Sequence, residues 1–90
     1  SFILDGRYQL DDFLVKFDIG VSEEDEEELG NITTVGGLVF LLLDHIPSEG
    51  EAVNYKGYRL EVLDMDGNRI DKVSMSKIVD KTISDIANQD

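Results

Sequence analysis

Thr33-Thr34-Val35-Gly36-Gly37-Leu38-Val39-Phe40-Leu41-Leu42-Leu43-Asp44-His45-Ile46-Pro47 is the longest apolar run in the chain. Its reading decides the fold. A threonine hydroxyl can accept a bond from an unpaired backbone N–H, so Thr33 or Thr34 can start a helix. Pro47 lacks an N–H and biases its predecessor away from helical geometry, which predicts the stop. Between them Val35, Leu38, Val39, Leu42, Leu43 and Ile46 recur at the spacing of one helical face. Phe40 and Leu41 make the other side apolar as well. The prediction is a central helix over Thr34–Ile46, buried nearly all round or covered by a partner. Gly36 and Gly37 in its first turn cost roughly 1 kcal/mol each against alanine. Close approach of another backbone would offset that cost.

Upstream, Phe2-Ile3-Leu4 reads as a short strand closed by the turn signal Asp5-Gly6. Leu10, Phe13, Leu14 and Phe17 stand at i, i+3, i+4 and i+7, an amphipathic helix. Asp11 and Asp12 lie in its first turn, where the helix dipole favours negative charge. Gln9 is a poor cap, and Gly20 is placed to end the helix in a left-handed conformation. Then come six consecutive acids, Glu23 to Glu28, behind Ser22. They read as a solvated acidic connection in which Ser22 could cap a short, frayed helical turn.

Downstream the pattern turns to strands. Glu51 to Tyr55 is one strand, and Lys56-Gly57 a tight turn with Gly57 supplying a positive φ. Tyr58, Leu60 and Val62 alternate with Arg59 and Glu61, so one face is buried. Asp66-Gly67-Asn68 marks a second hairpin. The three-residue step from Ile70 to Val73 breaks the period of two, as does the phase change at Leu63 and Met65. A β-bulge near Asp71–Lys72 is therefore predicted. The residues after Ser76 are polar, with Val79, Ile83 and Ile86 on one helical face. They read as a C-terminal tail or short helix over 77–90, set apart from a domain over 1–76. The fold class is α+β: a small antiparallel sheet with two helices packed on one face, in the order β-α-α-β-β-β.

Composition narrows function mainly by exclusion. Twenty acids against eight bases give a net charge of −12 over 90 residues. That argues against nucleic acid, whose phosphates need Lys and Arg, and against attachment to an anionic membrane. No apolar run reaches the roughly 18–20 residues of a membrane-spanning helix. The absence of cysteine removes disulfides, zinc–thiolate sites and thiol nucleophiles. Residues 1–20 lack the basic start and apolar core of a signal peptide. An apolar triplet directly after Ser1 suggests a domain cut from a longer protein.

Few residues carry chemistry. Glu23, Glu24, Asp25 and Glu26 could hold Mg²⁺ or Ca²⁺, which prefer carboxylate oxygens, but the run lacks the Asp-x-Asp-x-Asp-Gly spacing of a loop site. Asp64 and Asp66 before Gly67 read first as hairpin chemistry. His45, the single histidine, reads as a cap in the last turn of the central helix, where a cation is favoured. Gly36-Gly37 fits neither phosphate-loop pattern and reads as close packing. Nothing in the spacing supports catalysis. Phe40 and Leu41 are either buried under the acidic connection or the C-terminal segment, or they form an interface.

The ordered set Asp5-Gly6, Leu10-Asp11-Asp12-Phe13, Thr34-Val35-Gly36-Gly37-Leu38-Val39, Ile46-Pro47, Gly50-Glu51-Ala52-Val53, Tyr58-Arg59-Leu60-Glu61-Val62 and Asp66 to Val73 resembles one family. This is the CorC/HlyC transporter-associated domain, found at the C-terminus of bacterial hemolysin-like and magnesium/cobalt-efflux proteins. The resemblance covers roughly residues 1–75, with a longer acidic connection than the family usually carries. It implies a non-enzymatic accessory or regulatory domain of a membrane protein linked to divalent-cation transport, on the cytoplasmic side of the bacterial membrane. Its implied partners are the membrane domain and cystathionine-β-synthase repeats of the parent protein, with a homodimer as a further option. An alternative is a ligand-binding module for a divalent cation or flavin adenine dinucleotide (FAD). The flavin label belongs to the family as a whole and transfers no residue motif to this chain.

Overall fold

The computed structural model describes residues 1–79. The predicted tail beyond Val79, with Ile83 and Ile86, lies outside the described residues. The element order is β1 (Phe2–Asp5), α1 (Leu10–Lys16), α2 (Glu23–Leu29), α3 (Val35–Leu43), β2 (Ala52–Tyr55), β3 (Tyr58–Asp66) and β4 (Arg69–Lys77). The four strands form one antiparallel sheet in the order β1-β4-β3-β2. The first and last strands of the chain thus pair, which brings Phe2 opposite Met75 and Asp5 opposite Lys72.

One face of this sheet meets the helices. Leu4, Leu60, Val62, Ile70, Val73 and Met75 from the strands share a core with Leu10 and Phe13 of α1 and Val35, Leu38 and Val39 of α3. Phe13, Leu38, Leu60 and Met75 are its largest fully buried side chains. The predicted amphipathic faces of α1 and α3 therefore point where their periodicity places them. The space between helices and sheet, where the flavin alternative would want an apolar slot, is filled by these side chains.

Both hairpins have the turn chemistry their residues suggest. Lys56 and Gly57 have φ of 50° and 87°, the two positive values of a type I′ turn. Gly67 has φ of 62° at the first position of the Gly67-Asn68 loop. The predicted irregularity is present. Between Val62↔Val73 and Asp64↔Lys72 the residue Leu63 has no partner, and between Asp64↔Lys72 and Met65↔Ile70 neither has Asp71. The phase change on β3 and the three-residue step on β4 are two sides of one bulged region.

Three expectations need correction. Gly20 does not end α1: the helix stops at Lys16, and Asp18 takes the left-handed conformation (φ 53°). Aspartate tolerates that region because its short polar side chain can bond locally. Pro47 does not stop α3 either. Asp44, at φ 59°, ends the helix after Leu43, and its N–H donates to the Phe40 carbonyl. Ile46 consequently lies beyond the helix and is exposed. Finally, the acidic connection is a helix of seven residues, α2, not a frayed turn. Ser22 Oγ accepts from Asp25 N–H at 3.1 Å, while Asp25 Oδ2 accepts from Ser22 N–H at 3.0 Å, a complete capping box. Four acids in its first turn also lie at the favourable end of the helix dipole.

His45 sits just past the end of α3, and its main partner is Glu51. Its Nε2 lies 2.8 Å from Glu51 Oε1, while Glu51 Oε2 accepts from Ser48 N–H at 2.6 Å. Glu51 thus fastens the turn that leads into β2. The hydrogen bond to Glu51 raises the His45 pKa above its ordinary 6.5. The Ser48 N–H, then His45, lowers that of Glu51 below its ordinary 4.5. A raised histidine stabilises the fold below about pH 6.5 and loses that contribution as pH rises through the folded value. A lowered carboxylate stabilises above about pH 4.5 and loses its contribution on acidification. The clamp is therefore complete between those limits. In an NMR titration, Glu51→Gln is expected to move the His45 midpoint down toward 6.5. An unchanged midpoint would show that Glu51 does not hold the imidazolium.

Candidate functional site

The outer side of α3 is the first candidate. Phe40 and Leu41 are 37% and 39% exposed, so the described elements leave over a third of each open. They belong to a helix whose opposite side, Val35, Leu38 and Val39, is wholly buried. Beside Phe40 runs a groove of about 350 Å³, with Gly6, Thr34, Gly36, Arg69 and Ile70 among its lining residues.

Backbone contacts build that groove. Gly36 N–H donates to the Gly6 carbonyl at 2.8 Å, Val35 N–H to Tyr8 at 2.9 Å, and Gly6 N–H to Asp71 at 2.7 Å. Thr34 Oγ1 accepts from Gly37 N–H at 3.1 Å, so Thr34 is the cap. The first donors of α3 are thereby all used within the chain, and this helix start offers none to an anion. The close approach predicted for the glycine pair is real at Gly36, where a β-carbon would stand 2.9 Å from the Gly6 carbonyl oxygen. Gly37 faces side chains instead, at 3.2 Å from Ile32 Cγ2 and Thr34 Oγ1.

The acidic helix α2 is the second candidate. Glu23, Glu24 and Glu26 point to solvent. Asp25 is otherwise engaged: besides the capping box, its Oδ2 accepts from Lys56 Nζ at 2.6 Å. Lys56 first, and the Ser22 N–H second, hold its carboxyl at a pKa of about 2. Among the described residues no three His, Asp or Glu side chains converge to hold a metal ion. Because the Asp25 pKa is lowered, its contribution to stability is present above its ordinary 3.8 and is lost as pH falls through about 2. Lys56→Ala is expected to raise the Asp25 midpoint toward 3.8 in a carboxyl NMR titration, and Ser22→Ala, which keeps the N–H and removes only the hydroxyl, by a smaller step. A negligible shift in Lys56→Ala would show that Lys56 does not set it.

A third feature was not read from the sequence. The rings of Phe2, Phe17 and Tyr58 form a chain, with centroids 5.3 Å apart for Phe2–Phe17 and 6.1 Å for Phe17–Tyr58. They come from β1, the end of α1 and β3, so no periodicity within one segment could reveal them.

Comparison with known proteins agrees with this fold. The model of the CorC_HlyC family, a transporter associated domain, matches residues 1–79. The Synechocystis protein named UPF0053 protein sll0260 is 41% identical over 87% of this chain. The polyamine export protein of Escherichia coli K12 is 33% identical over 90% of it. The chain spans 17% of the length of each of these curated relatives. Among solved structures, a CorC_HlyC domain from Haemophilus ducreyi superposes with a TM-score of 0.75 at 30% identity, covering 88% of this chain and 89% of that one. The corresponding domain of a Xylella fastidiosa Temecula1 hemolysin, solved in complex with Mg²⁺ and Mn²⁺, gives 0.72 at 26% identity, covering 87% of each chain. Matched along nearly all of its described length, the chain belongs to the CorC/HlyC transporter associated domain family.

Proposed function

We propose that this domain is a non-enzymatic accessory module of a larger transport protein, working by contact with other parts of that protein on the cytoplasmic side of the membrane. The observation that carries the reading is the part-exposed Phe40–Leu41 pair on the outer side of a helix whose inner side is core. An apolar pair beside a groove is the kind of surface that a partner covers. The relatives support it in two ways: both are several times longer than this chain, and one of them is named for export, an activity of the whole protein. Divalent-cation transport, expected from the family resemblance, and the polyamine export of the relatives share a cationic cargo. A cationic cargo is the class we assign to the parent protein.

The test uses the full-length protein that contains this domain. A photo-crosslinking residue at position 40 or 41 is expected to capture another region of the same protein. Phe40→Ser with Leu41→Ser is expected to reduce transport while the purified domain, though less stable, still unfolds cooperatively. Wild-type transport without crosslinks would overturn the reading, as would catalytic turnover by the isolated domain.

The Xylella domain, solved with Mg²⁺ and Mn²⁺, favours a second reading, divalent-cation binding at α2. Calorimetry with MgCl₂ and MnCl₂ should then show saturable binding that Glu23→Gln, Glu24→Gln and Glu26→Gln together abolish. Binding that survives all three would move the ion away from α2.

A further inference from the structure

At the other end of β1 and β4 from the Phe40 groove lies a second groove, of about 380 Å³. Phe2, Lys16, Phe17, Tyr58, Met75 and Lys77 line it. It exists because α1 ends at Lys16, so the helix layer stops while the inner face of the sheet continues. Tyr58 OH donates to the Phe17 carbonyl at 3.4 Å, which ties one wall to the other. Phe2 is 55% exposed and begins the edge strand β1.

The charge here runs against the net charge of the chain, as it does at the Phe40 groove with Arg7 and Arg69. The chain carries −12, yet this groove is lined by two lysines and no carboxylate. Arg7, Lys56, Arg59 and Lys72 each have a carboxylate partner, whereas Lys16, Lys77 and, at the Phe40 groove, Arg69 have none among the described residues. Two carboxylates stand nearby: Asp12, one helical turn before Lys16 on α1, and Asp18, which lines an adjoining groove that shares Phe17, Tyr58 and Lys77. Lys56 also lines that second groove but is spent on Asp25.

We propose that the Phe2–Phe17–Tyr58 groove docks an extended acidic peptide segment of a partner protein, with one apolar side chain seated among the rings and carboxylates on Lys16 and Lys77. Such a segment can continue along the free edge of β1 as an added strand. Screening separates this occupant from other anions. Beyond a Debye length of about 8 Å at physiological salt, charge is largely hidden. A short peptide therefore senses the local lysines. An anionic membrane or a nucleic acid spans the whole molecule and meets its net negative charge.

This goes beyond the Phe40–Leu41 reading and shares no residue with it. The test titrates the full chain with a short peptide bearing one leucine flanked by glutamates. Saturable shifts are expected in the NMR signals of Phe2, Phe17, Tyr58 and Ser76. Lys16→Glu with Lys77→Glu should weaken binding by at least about fivefold, and raised salt should weaken it too. Phe40→Ser should leave it unchanged. The proposal fails if the same peptide with lysines for glutamates binds as well, or if phosphatidylserine vesicles bind through the same rings more tightly. It also fails if Ile83→Asp with Ile86→Asp raises affinity fivefold, since the chain's own C-terminal segment would then be the occupant.

Discussion

Replacing Gly6 by alanine is expected to destabilise the domain by about 3 kcal/mol or more, near the upper end of what overpacking costs. A β-carbon at Gly6 would lie 2.0 Å from the Ile70 carbonyl oxygen and 2.9 Å from its carbon. Those atoms belong to the backbone of β4 and cannot rotate away as a side-chain tip can. Gly6 N–H also donates to Asp71 O, and Gly6 O accepts from Gly36 N–H, so displacing the turn strains two further bonds. Domains of this size hold net stabilities of about 5–15 kcal/mol, so the variant loses a fifth of it or more. Gly20→Ala is the control. Its β-carbon would meet nothing within 4 Å. With no clash, the loss of unfolded-state freedom predicts a change between zero and about 1 kcal/mol of stabilisation. The measurement is the denaturant midpoint at constant m-value. A Gly6→Ala loss below about 1 kcal/mol would mean that the β1–β4 contact yields easily, contrary to the packing described above.

The two glycines also show why some of the fold was legible in the sequence and some was not. Asp5-Gly6 reads as a turn, which it is, but the constraint on Gly6 comes from Ile70 at the far end of the chain. No local pattern carries that. The α1 face was legible because Leu10, Phe13, Leu14 and Phe17 all answer to one packing surface. The bulge was legible because a phase change on Leu63 and a three-residue step to Val73 must match if the strands pair. Helix α2 was not. Six adjacent acids repel one another, and what secures them is the Ser22–Asp25 box together with Lys56 from the turn between β2 and β3. The ends of α1 and α3 fell to aspartates, Asp18 and Asp44, where glycine and proline were the stronger signals. Of the candidate sites, Phe40 and Leu41 stood out as apolar residues left over from a helical face. The aromatic groove did not, because its rings and lysines come from separate elements.

A pair of phenylalanines separates core from candidate surface on energetic grounds. Phe13 is fully buried, packed within the core shared by α1, α3 and the sheet, with its ring 5.4 Å from that of Phe17. Phe13→Ala is expected to cost about 3–5 kcal/mol, the transfer term plus the cavity left behind. Phe40 is over a third exposed and makes no part of that core. Phe40→Ala should cost less, about 1–2 kcal/mol, because over a third of the ring is already in water and its removal leaves no enclosed cavity. Chemical denaturation of both variants measures the difference directly. If Phe40→Ala cost as much as Phe13→Ala, the outer side of α3 would be structural, and the ring would have no need of a partner. If the two separate as expected, α3 carries a part-exposed ring that contributes much less to stability than the core ring of α1. Its contribution must then be sought in the contacts of the longer protein, where Phe40→Ser and Leu41→Ser can be scored without loss of fold.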